Sequence, residues 1–155
     1  MAIELNDLTR DVLESPSFGF IGTLNDSGRP IMTRFFGFKN DDPLTTLTVY
    51  TFKKDAERVI QHLSSSSKMT ATSSKATDFK TVQFKGTYLR HYDVLEDEMV
   101  YARKCNEKQA EIMSMFGIPK EVFTNWNFDP AVAIEMKVDT LFDQTPRANT
   151  GNKIN

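Results

Sequence analysis

Residues 18–38 read FGFIGTLNDSGRPIMTRFFGF, and this stretch predicts two β-strands joined by a turn. Side chains alternate with period two from Phe18 to Leu24, and residues 25–28, Asn-Asp-Ser-Gly, are typical of a tight turn. The second strand covers residues 31–38. A third strand is predicted at residues 44–52, which are rich in Thr, Val and Tyr. Together these strands predict an antiparallel meander.

The rest of the chain predicts further strands and helices. Alternating polar and apolar residues indicate strands at residues 68–73, 79–88 and 131–140. Apolar residues at helical spacing indicate helices at residues 5–13, 55–63, 94–116 and 120–123. Asn6 or Asp7 is the expected cap of the first helix and Asp55 of the second, and Gly117 is expected to end the third. Because about six antiparallel strands leave open edges unless the sheet closes, we expect a mainly β fold, a closed or partly closed barrel with peripheral helices.

The composition predicts one soluble domain over residues 1–155, with a polar tail at residues 144–155. No apolar run approaches the ~20 residues that cross a bilayer. The net charge of −2 gives no overall field that would recruit nucleic acid or an anionic membrane, so neither is expected as a partner. The one cysteine, Cys105, excludes an internal disulfide and favours a reducing compartment. We therefore expect a cytoplasmic protein.

Cations gather where the second and third strands end. Arg34 and Lys39 lie on or just past the second strand, and the third strand is followed by Lys53 and Lys54, with Arg58 on the first turn of the next helix. Converging cations and a helix N-terminus are what a phosphate dianion needs. The alternative is that these residues are ordinary surface charges at strand ends.

Aromatic residues beside these cations offer an apolar slot for a planar heterocycle. The candidates are Phe35, Phe36 and Phe52, together with Tyr50, while the Thr51 hydroxyl is a candidate phosphate donor. We expect most of the other phenylalanines in the barrel core.

The order and spacing of these segments resemble the pyridoxamine 5′-phosphate oxidase-like, FMN-binding split-barrel family. The resemblance rests on FGFIGTL at 18–24, RPIMTR at 29–34, Tyr50-Thr51, residues 56–63, VQFKG at 82–86 and FDQTP at 142–146. It implies a split β-barrel homodimer that binds FMN at the subunit interface.

The resemblance also implies roles for particular residues. Arg34 matches the arginine that meets the flavin phosphate and ribityl chain, and Lys39 the basic residue five positions later. Tyr50 and Thr51 match the pair that lines the cofactor. The basic residues at the following helix correspond to Arg58, or to Lys53 and Lys54. Finally, Thr81 and Gln83 lie in the strand that supplies a polar contact from the partner subunit.

The chain departs from the vitamin-B6 oxidase itself. It lacks the C-terminal arginine and histidine pair that binds the substrate phosphate, so pyridoxamine phosphate oxidation is not expected. We expect an FMN-dependent oxidoreductase of a small molecule, with NADH or NADPH as a candidate donor and no assigned catalytic side chain. The alternative is a non-enzymatic carrier or sensor that holds flavin or haem on the same barrel.

Several other residues are weighed against simpler roles. His62 and His91 lack partners at metal-ligand spacing, so no metal site is predicted. Cys105 is expected to be a half-buried packing residue. Trp126 with Phe123 and Phe128 is expected to cover the barrel mouth or dimer seam, or to pack in the core. The lysines at 75, 80 and 85 are too dispersed to predict nucleic-acid binding.

Overall fold

The computed structural model describes residues 2–125, 130–148 and 150–154, and of Thr124 only the backbone. The strands in these residues are β1 Ser17–Leu24, β2 Pro30–Phe35, β3 Gly37–Asn40, β4 Thr46–Phe52, β5 Lys68–Lys75, β6 Thr81–Asp93, β7 Ala131–Asp143 and β8 Asn152–Lys153. The helices are α1 Asp7–Glu14, α2 Lys53–Ser66, α3 Glu96–Met115 and α4 Glu121–Thr124. No helix in the described residues is both long enough and apolar enough to cross a membrane.

The antiparallel strands are ordered β2-β1-β5-β6-β7-β4-β3, and β8 pairs with β7. Although β2 and β3 lie at opposite ends of this order, only Phe36 separates them in the chain. The amide of Phe36 donates to the carbonyl of Tyr50 at 2.9 Å, and the Thr51 hydroxyl donates to the carbonyl of Arg34 at 2.7 Å. The two ends of the sheet therefore meet, which confirms the predicted mainly β barrel. The single strand predicted at residues 31–38 is wrong, because the chain bends at Phe36 to serve both ends.

Alternation along the strands fills the barrel with apolar side chains. In β7, for example, Ile134, Met136 and Val138 are almost fully buried, and Lys137 is exposed, as predicted. One face of α2 packs onto the same core through Ala56, Val59 and Leu63. A second buried cluster lies on the outside of the barrel beneath α3 and contains Phe36, Tyr50, Ala102, Ala131 and Ala133.

The predicted ends of α1 and α3 are confirmed, whereas the predicted cap of α2 is wrong. Asn6 caps α1, since its Oδ1 accepts from the amide of Thr9 at 2.9 Å. Gly117, with φ +82°, follows the end of α3 as predicted. The Asp55 cap is wrong: β4 runs directly into α2, so Phe52 occupies the N-cap position and Asp55 lies inside the first turn.

Two strand boundaries also differ from the prediction. β6 begins after residue 80 and continues to Asp93, so His91 lies within the strand rather than after it. The tail predicted to be polar contains β8, for which no strand was predicted. It is held because the amide of Ile154 donates to the carbonyl of Leu141 at 2.9 Å and Ile154 packs on the core.

The phenylalanines are less buried than predicted. Phe35 and Phe84 belong to the barrel core, whereas Phe20, Phe79 and Phe116 are 51%, 63% and 57% exposed. The expectation that most phenylalanines fill the core is therefore wrong for these three, and Phe20 lies on the outer face of β1. Phe123 is buried. Trp126 and Phe128 lie outside the described residues.

Candidate functional site

One row of outward-facing residues crosses five strands, and we call it the central row. Strand pairing aligns Arg34 with Phe20, Phe20 with Thr72, Thr72 with Gln83, and Gln83 with Phe142. Because neighbouring strands lie about 4.8 Å apart, Arg34 and Gln83 are roughly 14 Å apart across the sheet. The barrel thus brings together two predicted site residues that are distant in the sequence.

An apolar groove of about 480 Å³ lies beside the central row. It follows the next outward row, which consists of Met32, Gly22, Thr70, Lys85 and Thr140. Gly22 keeps the floor low, since a Cβ there would come within 3.1 Å of the Ile31 carbonyl oxygen. The Lys85 ammonium lies 4.4 Å from the centre of the Phe142 ring, which ties the groove to the central row. This groove has the size and character of a small-molecule site.

Arg34 lies where the central row meets the start of α2. Its Nε is 3.9 Å from Oδ2 of Asp55, and the two side chains are 49% and 44% exposed. The guanidinium carbon lies 5.5 Å from the centre of the Phe52 ring. Arg58 is exposed and follows Asp55 by three residues, so the two share a face of α2.

The other predicted cations lie elsewhere. Lys53 precedes Asp55 by two residues, which is about 200° around the helix, and its Nζ contacts Oδ1 of Asp93 at 2.6 Å. That ion pair borders a separate groove of about 520 Å³ between α2 and the end of β6, lined by Lys53, Glu57, Ile60, Gln61, His91, Tyr92, Asp93 and Val132. Lys54 is exposed on the first turn of α2, and Lys39 is exposed on β3 opposite Thr48.

Phe35 and Thr51 point into the barrel rather than onto its outer face. Phe35 is 4% exposed, and its ring covers Gly19 so closely that a Cβ there would lie 1.7 Å from the ring. Thr51 is fully buried, and its hydroxyl already donates to the carbonyl of Arg34. Both residues support the strand that carries Arg34, and neither contacts the groove.

Phe36 and Tyr50 lie beneath α3, in the second cluster. The Tyr50 hydroxyl donates to Oε1 of Glu98 at 3.3 Å, and the Tyr92 hydroxyl donates to the same oxygen at 2.9 Å. Burial, with the nearby Glu98 carboxylate, raises the pKa of Tyr50 and raises the pKa of Tyr92 to about 12. The two hydroxyls donate to one carboxylate of α3 and so fasten α3 to the barrel.

Gln83 lies within the central row and is oriented by its neighbours. Its Nε2 donates to Oγ1 of Thr72, and its Oε1 accepts from Nε2 of Gln144, each at 3.4 Å. Thr81 lies two residues along the same strand and shares a hydrogen bond of 2.7 Å with the hydroxyl of Ser74. Long hydrogen bonds leave the Gln83 amide able to exchange partners.

Phe20, Thr72 and Met32 were not among the site residues predicted from the sequence. Alternation along each strand gives the outward positions, but the rows require the register between strands that are far apart in sequence. Asp55 was identified only as a helix cap, because its proximity to Arg34 depends on how α2 packs beside β2.

The histidines and the cysteine form no group that could hold a metal within the described residues. Nδ1 of His62 lies 3.8 Å from a carboxylate oxygen of Asp26. Cys105 is half-buried against Gly37, and burial raises the pKa of its thiol. This fits the expected packing role of Cys105.

Comparison with known proteins identifies the fold. No family model matches the chain, and no curated protein matches it by sequence. Among solved structures, HupZ of Group A Streptococcus is similar with a TM-score of 0.54 at 16% identity, over 95% of this chain and 99% of that one. A putative pyridoxamine 5′-phosphate oxidase of Lactobacillus delbrueckii gives 0.55 at 14% identity, over 90% and 93% of the two chains. An F420 reductase gives 0.53 at 15% identity, over 85% and 94%.

The fold is therefore the split β-barrel of the pyridoxamine 5′-phosphate oxidase-like proteins, as the sequence resemblance implied.

Proposed function

We propose that the protein binds FMN on the outer face of the barrel and is a cytoplasmic oxidoreductase acting on a small molecule. The observation that carries this proposal is the central row, which links Arg34 at the start of α2 to Gln83 along the side of an apolar groove. A phosphate-bearing planar cofactor needs a cation for its phosphate, a polar side chain for its ring and an apolar groove to hold the ring, and here the three lie side by side.

The residues present fit such a cofactor. Arg34 and Arg58 would hold the phosphate, because both are exposed cations near the N-terminal end of α2. The groove, at about 480 Å³, would take the ring system, with Met32 and Leu24 as apolar walls. Thr72 and Gln83 would offer hydrogen bonds to polar atoms of the ligand.

When bound, FMN supplies the redox chemistry, and the residues of the chain orient the cofactor and limit access of water to it. Two of the structurally similar proteins are named a reductase and an oxidase, which supports a redox role. Met32 is the one side chain in the two rows that can bind haem iron, and methionine holds haem together with a histidine, which neither row contains. The site therefore favours flavin over haem.

Spectroscopy tests the proposed cofactor and separates enzyme from carrier. We expect added FMN to bind with quenched fluorescence, and the bound flavin to be bleached by NADH or NADPH without oxygen. Flavin that binds but is reduced by neither nicotinamide would support the carrier instead. A protein that shows a haem Soret band and takes up no FMN would contradict the proposal.

We also propose that a second copy of the chain covers this face, forming a homodimer. Phe20, Leu24 and Met32 are 51%, 51% and 65% exposed on neighbouring outward positions of β1 and β2. Exposed apolar residues grouped in this way are typical of an interaction surface. The neighbouring groove would then be closed by the partner.

Met32→Lys is expected to convert the dimer to a monomer on gel filtration and to weaken FMN binding. The introduced ammonium would have to be buried without a partner in the interface. Met115→Lys is the matched control, since Met115 is 78% exposed on α3 and belongs to neither row. A wild type that elutes as a monomer would contradict the dimer.

A further inference from the structure

Asp55 places a carboxylate beside the cation that the proposed function assigns to the phosphate. Its Oδ2 lies 3.9 Å from Nε of Arg34, and both side chains are about half exposed. Asp55 also lies in the first turn of α2, where its charge offsets the positive end of the helix dipole. Two sources of attraction for an anion are thus partly neutralised by one side chain.

This arrangement acts differently on charged and neutral ligands. A phosphate monoester carries about −1.5 to −2 charges at pH 7, so Asp55 repels it and competes with it for Arg34. A ligand of the same shape without the phosphate experiences neither effect. The carboxylate therefore lowers the affinity gained from a phosphate group and leaves the rest of the binding energy unchanged.

The geometry points to Asp55 as a specificity-determining residue that reduces the preference for FMN over riboflavin. This inference rests on the proposed function. It assigns to Asp55 a role in ligand selection in addition to its stabilising effect on the N-terminal end of α2.

Equilibrium titration of FMN and of riboflavin against wild type and Asp55→Asn tests this role. We expect the variant to bind FMN roughly three- to tenfold more tightly, with riboflavin unchanged and the gain reduced at high salt. Asp55→Ser is a second variant that retains a residue suited to a helix N-terminus. Thermal unfolding of each variant checks that it is folded.

Glu57→Gln is the matched control. This substitution removes the same charge from the same helix, but Glu57 lines the separate groove that contains Lys53. We expect this variant to bind both flavins as the wild type does. The comparison separates the position of the carboxylate from a change in net charge.

The outcomes separate this inference from the proposed function. If Asp55→Asn binds FMN no more tightly than Glu57→Gln, the inference is overturned and FMN binding stands. If it binds FMN more weakly, Asp55 orients Arg34 instead, which also overturns the inference. A wild type that binds neither flavin overturns the proposed function and the inference with it.

Discussion

Arg34→Ala is expected to weaken FMN binding about 10- to 100-fold, because charge-assisted hydrogen bonds contribute about 1.5–3 kcal/mol each. Riboflavin affinity is expected to change little, since Arg34 is assigned to the phosphate. Fluorescence titration of both ligands measures the difference. Arg34→Lys is expected to recover part of the FMN affinity, because an ammonium retains the charge but loses the bidentate geometry.

Arg103→Ala is the control for this prediction. Arg103 is an exposed arginine on α3, next to Ala102, which packs in the second cluster rather than on the central row. Its loss removes the same charge. It is expected to leave both affinities unchanged. If Arg34→Ala retained wild-type affinity for FMN, the placement of the cofactor on this face would be wrong.

The strands could be predicted because alternation appears in each segment by itself. Closure of the barrel could not be predicted in detail, since residues 31–38 carry a continuous strand pattern and the bend at Phe36 depends on pairing with both β1 and β4. The start of α2 was also misplaced. Phe52 is an unusual N-cap, accepted here because β4 leads into the helix without a loop.

The candidate site was predicted in composition but not in arrangement. The cations could be identified as a group in the sequence, yet helix geometry directs Lys53 toward Asp93 and leaves Arg58 on the same side of α2 as Asp55. The aromatic residue beside Arg34 is not the one predicted. Phe35 and Phe36 are buried in two different clusters, while Phe20 lies in the central row. Whether a strand residue faces in or out follows from alternation, but which outward residues meet depends on register.

Gly86→Ala is expected to destabilise the fold by about 3 kcal/mol, a large share of the 5–15 kcal/mol that holds a typical domain. A Cβ at this position would lie 1.8 Å from the carbonyl oxygen of Lys137, and a backbone atom cannot rotate away as a side chain can. The pairing of β6 with β7 already shifts register between Lys85 and Gly86, so relief requires the two strands to separate. Urea unfolding followed by circular dichroism measures the loss.

Gly22→Ala is the matched control for Gly86→Ala. It makes the same chemical change in β1, which β5 separates from β6. The nearest atom to the new Cβ would be 3.1 Å away, and we expect a loss below about 1 kcal/mol. Equal midpoints for the two variants would show that the β6–β7 pair adapts easily. If instead Gly86→Ala is unstable and binds FMN poorly at temperatures where it is still folded, the spacing of β6 and β7 also controls the site. Gly86 itself lines the groove, and Gln83 and Lys85 lie on the strand that would have to move.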